Sequence, residues 1–214
     1  MESPMIHSAI EYVKTIFQTD YSGHDVSHTL RVYQTACRLA EAEHADLRIV
    51  QLAALLHDVD DRKLSPETHE HKDRAVSFMK SQNLSDDVIQ QVCRIISEVS
   101  YAGRDSVVPS SIEGKCVQDA DRLDALGAIG IARAFAYGGS RGRVMYDPEI
   151  KPDLDMSGEA YHRHISTTVN HFYEKLFLLQ DMMNTKTARA IAEHRTQYMH
   201  GYLDEFLSEW EGIL

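Results

Sequence analysis

Apolar residues recur along this chain with a helical period, and the alternation of a half-buried strand is nowhere sustained. Ser3-Pro4 is a helix start, and Met5, Ile6, Ala9, Ile10, Val13, Ile16 and Phe17 continue it until Asp20–Gly23. His28, Val32, Thr35 and Leu39 form one stripe of a second helix, which runs to about Ala42. Asp46 to Asp58 is a third, apolar nearly all round. Ser65-Pro66-Glu67 repeats the Ser–Pro start and predicts a helix to about Gln82. Val88, Ile89, Val92, Cys93, Ile96 and Val99 mark the next, followed by a loop from Tyr101 to Pro109. Ile112–Leu126 and Ala128–Tyr137 are rich in Ala and Gly and so able to pack closely. Glu159 to about Leu179 and Thr185 to about Glu211 complete the set, the last with Ile191, Tyr198, Tyr202, Phe206 and Trp210 turned inward. The pattern predicts an all-α fold of roughly nine helices in a single domain, 1–214, without internal repeats. Residues 138–158 break the period. So long a connection in a compact domain is usually functional or disordered, and it reads as a lid beside an active site or as a mobile surface loop.

The third helix carries the chemistry. Its stretch QLAALLHDVDDRK passes from an apolar run, with Ile49, Leu52, Ala53 and Leu56 at i, i+3, i+4 and i+7, straight into His57 and Asp58. A histidine and a carboxylate at the end of a buried helix need partners, because unpaired burial costs several kcal/mol. One reading is a His–Asp pair that only caps the helix. The other is a divalent metal, which satisfies both residues at once where the backbone is free to turn. Candidate partners stand on two further helices. His28 follows Gly23-His24-Asp25-Val26-Ser27, and a carboxylate lies in the stretch QDADRLDALG (118–127). Two imidazoles and two carboxylates suit a borderline divalent ion and leave open positions for water and a phosphate oxygen.

In the order H…HD…D, as His28, His57–Asp58 and Asp121, the chain resembles the HD-domain metal-dependent phosphohydrolases. DADRLDALGAIGIARAF (119–135), Gly138-Gly139, Tyr146-Asp147-Pro148, NHFYEKL (170–176) and MNTKTARAIAEHR (183–195) look like the small bacterial members of about this length. The resemblance covers essentially the whole chain and implies an HD-type helical bundle. It makes His28, His57, Asp58 and Asp121 the metal ligands. It implies that Asp61, three positions after the HD aspartate, orients or deprotonates the attacking water. It also implies a nucleotide substrate, with a triphosphate cut to monophosphate and pyrophosphate. A nucleotidase or phosphodiesterase on the same site, a diiron oxygenase and a non-enzymatic nucleotide sensor stay open beside it. The diiron reading needs further ligands, and no histidine stands between His71 and His162. One divalent ion is therefore expected, manganese first, then Fe, Co, Ni, Zn or Mg.

Arg31, one turn after His28, and Lys63 are candidate phosphate contacts, with Lys175 of NHFYEKL a third. Arg141 and Arg143 in the candidate lid are placed to close on a leaving pyrophosphate. Asp60 reads as a solvated turn residue or a helix cap, His24 as a capping residue, and His171 as either a site residue or a structural one.

Composition narrows the partners. Hydrophobic residues at 43% and charged ones at 26% are ordinary for a globular protein. The net charge of −11 argues against a nucleic-acid surface or an anionic membrane as partner. It leaves a small phosphorylated molecule as ligand, with a homodimer compatible. Positive charge for that ligand has to be local. Three widely spaced cysteines (Cys37, Cys93, Cys116) read as reduced core residues of a cytoplasmic protein, and the N-terminal stretch reads as no signal peptide.

Overall fold

The computed structural model describes residues 3–18, 25–61, 65–99, 106–154 and 166–214. The described residues form nine α-helices and no strand. They are α1 (Pro4–Ile16), α2 (Val26–Glu43), α3 (Leu47–Leu56), α4 (Asp73–Ser81), α5 (Asp86–Val99), α6 (Ile112–Asp124), α7 (Gly127–Ser140), α8 (Thr168–His171) and α9 (Lys186–Trp210). A π-helix, Phe172–Leu176, and a 3-10 helix, Phe177–Gln180, continue α8. None of the described helices is long and apolar enough to cross a membrane. The chain divides into two compact units, 1–101 with 107–121 and 102–106 with 122–214, so that the boundary falls within α6.

In the first unit α3 is the centre. Ile49, Val50 and the run from Leu52 to Leu56 are buried, and α1, α2 and α5 pack around them. An all-apolar helix is stable in water only when covered on every side. Short-range signals set its start. His44, in the left-handed conformation (φ 57°), ends α2, and two residues later the Asp46 carboxylate accepts from Arg48 N (2.9 Å) and Ile49 N (3.3 Å). Ser3 caps α1 in the same way, accepting from Ile6 N at 3.3 Å.

The helix expected from Ser65-Pro66 does not start there. Residues 66–72 make turns, Lys72 sits in the left-handed region (φ 56°), and α4 opens only at Asp73. Its first amides are capped from a distance: Asp60 Oδ1 accepts from Arg74 N (3.2 Å) and Oδ2 from Ala75 N (3.0 Å). A tertiary cap overrides the local start signal. Asp60 is thus a cap, and a buried one.

In the second unit α7 packs on α9 and α8. The buried stripe of α9 is Ala188, Ala192, Thr196, Met199 and Leu203. Small residues lead it, and Tyr198, one position off the stripe, is exposed rather than inward, as is Trp210. Of the candidate lid, Gly138–Ser140 belong to α7, the rest through Leu154 is non-helical, and 155–158 lie outside the described residues. The described part is tied to α8: Thr168 N donates to Val144 O (3.0 Å), Val169 N to Met145 O (2.9 Å) and Asn170 Nδ2 to Ile150 O (2.9 Å). Of the predicted helix from Glu159, the described part begins at Thr168, capped by Thr167 Oγ1.

Gly130 shows why α7 carries small residues. A Cβ there would lie 2.2 Å from the Ala125 carbonyl oxygen, a backbone atom that cannot step aside cheaply. Gly130→Ala gains about 1 kcal/mol of helix propensity and loses about 1–3 kcal/mol to overpacking. The expected outcome is net destabilisation, read as a lower urea midpoint at unchanged m-value; an unchanged or higher midpoint would refute the close approach.

Candidate metal centre

Three helix termini in the first unit bring four side chains together. Asp25 caps α2, its Oδ1 accepting from His28 N at 2.7 Å, which fixes His28 in the first turn. His24, the expected capping residue, lies outside the described residues. His57 stands at the C-terminus of α3, where the last carbonyls lack intrahelical donors. Its Nδ1 lies 2.8 Å from Ala54 O. A carbonyl only accepts, so Nδ1 carries the proton and Nε2 offers a lone pair. Asp58 follows directly. Asp121 comes from α6, whose register is held by Gln118: its Nε2 donates to Glu98 O and Val107 O, both at 2.9 Å.

The donor atoms converge. His28 Nε2 is 3.5 Å from Asp58 Oδ2 and 3.4 Å from Asp121 Oδ1; His57 Nε2 is 3.2 and 3.9 Å from the same atoms. The rings stand 5.5 Å apart at 67°. Atoms bound to one ion at about 2.1 Å lie roughly 3.0 Å apart at a right angle and roughly 3.4 Å apart at the tetrahedral angle. The His28, His57 and Asp58 atoms are therefore spaced for a common ion, with Asp121 lying against both histidines. A second observation agrees: His57 Nε2 is buried and makes no hydrogen bond, although carboxylates surround it. A histidine that served only to cap α3 would not leave that atom unsatisfied. The imidazole side chains are 2% and 4% exposed, those of Asp58 and Asp121 12% and 27%, so the ring opens to solvent on its carboxylate side.

Electrostatics follows the same geometry. Burial pushes the His57 pKa down, but Asp58 and Asp121 outweigh it and the net direction is up. Burial pushes Asp121 up, and His28 and His57 more than reverse this, holding its carboxyl below the ordinary range. A divalent ion bound here would balance two carboxylates beside two neutral imidazoles.

The other sequence candidates are placed as follows. Asp61 is half-buried at the end of the same turn, its N–H donating to Asp58 O at 3.0 Å. Arg31 is half-buried on α2, one turn after His28. Lys63 lies outside the described residues. Lys175 is half-buried in the π-helix of the second unit. Arg122 is buried and donates to Met182 O. Sequence reasoning missed Gln118 and the Asp25 cap; an Asp three residues before His28 is a cap signal that could have found the second.

The HD-domain family model matches residues 25–126, the interval that holds Asp25, His28, His57, Asp58 and Asp121. The chain belongs to the HD-superfamily hydrolases, a class of metal-dependent enzymes. Protein YpgQ of Bacillus subtilis is 40% identical over 209 residues, covering 94% of this chain and 92% of its own. In its crystal structure with ADP it superposes with a TM-score of 0.75 over 96% of this chain and all of its own. An HD-superfamily hydrolase of Bacillus thuringiensis gives 0.77 at 42% identity over 96% of both chains. A Lactobacillus plantarum protein gives 0.84 at 41% identity over 99% of both.

His171, on α8 in the second unit, is pushed down to about 3 by burial, with Lys175 and Arg143 adding to the shift. A folded pKa below the ordinary value means that the unfolded chain binds more protons, so stability falls as pH drops from about 6.5 toward 3. His171→Gln should flatten this limb. Urea midpoints between about pH 7 and pH 4 read it; a variant with the wild-type acid slope would place the acid loss elsewhere.

Proposed function

We propose that the chain hydrolyses a nucleoside triphosphate, with ribose or deoxyribose, to the monophosphate and pyrophosphate at one divalent ion held by His28, His57, Asp58 and Asp121. Manganese is the first candidate. The observation that carries the reading is the buried, unsatisfied Nε2 of His57 facing two carboxylates that open to solvent. The ADP complex of YpgQ, a relative aligned over nearly the whole chain, favours a nucleotide with a phosphate chain.

A divalent ion in this ring supplies Lewis acidity toward a phosphoryl oxygen and toward the attacking water. The residues around it do the rest. The Ala54 carbonyl holds the His57 ring in the tautomer that turns Nε2 outward. Asp61, tethered through its amide to Asp58 O, takes the proton of the attacking water. Arg31 and Lys63 supply positive charge to the phosphate chain, since two carboxylates already balance a dication. Pyrophosphate leaves the α phosphorus readily once its charge is met, which favours cleavage between the α and β phosphorus atoms.

Two experiments test this. Asp61→Asn keeps the metal and lowers turnover by about 10²–10⁴-fold, because an amide takes no proton; metal content and kcat measured together decide it, and near-normal turnover would remove Asp61 from the chemistry. Hydrolysis in oxygen-18 water, followed by phosphorus NMR, places the label in the monophosphate with pyrophosphate unlabelled. Orthophosphate released from the terminal position would overturn the regiochemistry.

A further inference from the structure

The turn after α3 holds Asp58 and Asp61, yet little inside it fixes its shape. Val59 N reaches Leu56 O at 3.3 Å and Asp61 N reaches Asp58 O at 3.0 Å, bonds of a single tight turn. Two residues separate these aspartates, and the second of them, Asp60, is 2% exposed. Its carboxylate accepts from Arg74 N and Ala75 N, and its backbone carbonyl accepts from His69 Nδ1 at 2.8 Å. His69 is held in turn, since Lys72 Nζ, on a buried residue, donates to His69 O at 2.6 Å. The His69 carbonyl and ring are thus both committed, and the ring proton must be on Nδ1 because its partner is a carbonyl. Lys72 Nζ lies 3.4 Å from the same nitrogen. With its lone pair replaced by that proton, Nδ1 has nothing to accept from Lys72.

From this we infer that His69 is a positioning residue for the metal centre. Its Nδ1–H grips the carbonyl of Asp60, which belongs to the peptide leading into Asp61, and so steadies the turn that carries the Asp58 carboxylate two residues before it. The Asp60 carboxylate secures the same residue to α4 independently, and Arg74 Nη1 adds a long bond to Val59 O (3.5 Å): these contacts anchor the turn to α4, and His69 sets the orientation of the Asp60–Asp61 peptide. Without His69 the turn stays attached and loses its aim. The inference rests on the reading of Asp58 as a ligand.

The test is cobalt(II) titration of metal-free protein, followed by visible absorption, for wild type and His69→Asn, His69→Gln and His69→Ala. Asn carries an N–H donor at the position of Nδ1; Gln carries it one methylene further out. We expect His69→Ala and His69→Gln to bind cobalt about 10–100-fold more weakly, with altered ligand-field bands, and His69→Asn to recover most of both, as for partners that orient metal ligands. Thermal unfolding of the metal-free variants separates orientation from bulk stability. Wild-type affinity and spectrum in His69→Gln would overturn the inference, even with a lowered melting temperature, since that is the mark of a staple alone. If His69→Ala does not fold, the Asn–Gln contrast decides the matter. Failure of the wild type to bind cobalt would strike the ligand assignment itself, and this inference with it.

Discussion

Everything in the centre depends on how α3 ends. The last carbonyls of an apolar helix covered on all sides need donors, and here Ala54 O accepts a hydrogen bond from His57 Nδ1–H. That one bond does two things. It satisfies a helix terminus that would otherwise be buried without a donor, and it turns the imidazole so that its lone pair faces Asp58 and Asp121. The structural need of the helix and the chemical need of a metal site are met by the same ring. Replacing the ring by any apolar residue removes both at once, which is why a helix this hydrophobic finishes in a doublet this polar.

The remaining candidate ligands are aimed by devices of the same kind. Asp25 fixes the first turn of α2 and with it His28; Gln118 bridges the carbonyls of Glu98 on α5 and Val107 ahead of α6 and so sets the register of Asp121 one turn later. Each is a local polar bond on a rigid helix, and helix-borne groups hold position better than loop-borne ones. The exception is the stretch after His57, which is irregular. There the positioning falls to tertiary bonds from Asp60, and this is the part of the site where small changes in backbone have the largest leverage.

What could be read from the sequence divides along the same line. Helix faces repeat every few residues, so α3, its doublet, the stripe through His28 and the small-residue packing of α7 were legible. Asp60 as a buried cap was not separable from a solvated turn, because its partners, Arg74 and Ala75, lie on the far side of a turn region. The same bond hid the true start of α4: Ser65-Pro66 carries a genuine local signal, and a carboxylate arriving from elsewhere outweighed it. Tyr198, expected inward, is exposed, and α9 buries the adjacent Met199 instead. Long-range polar bonds leave no periodic trace, and residue type alone does not choose between two adjacent helical faces.

Charge sets the last constraint. Two carboxylates and a dication cancel, so the loaded ring presents no surplus positive charge to a polyphosphate, and the chain as a whole carries −11. That overall charge acts weakly at the site, because free charges in solution are screened over about 8 Å at physiological ionic strength. Its effect falls on the rate of encounter more than on the strength of the bound state. Binding must then come from charges within a few ångströms of the phosphates. On the first unit Arg31 lies about 4.5 Å along α2 from His28, and its half-buried setting would strengthen a short-range pairing that bulk water weakens. An acidic chain and an anionic ligand are therefore compatible, provided that attraction is confined to the few residues that share a helix turn with the candidate ligands.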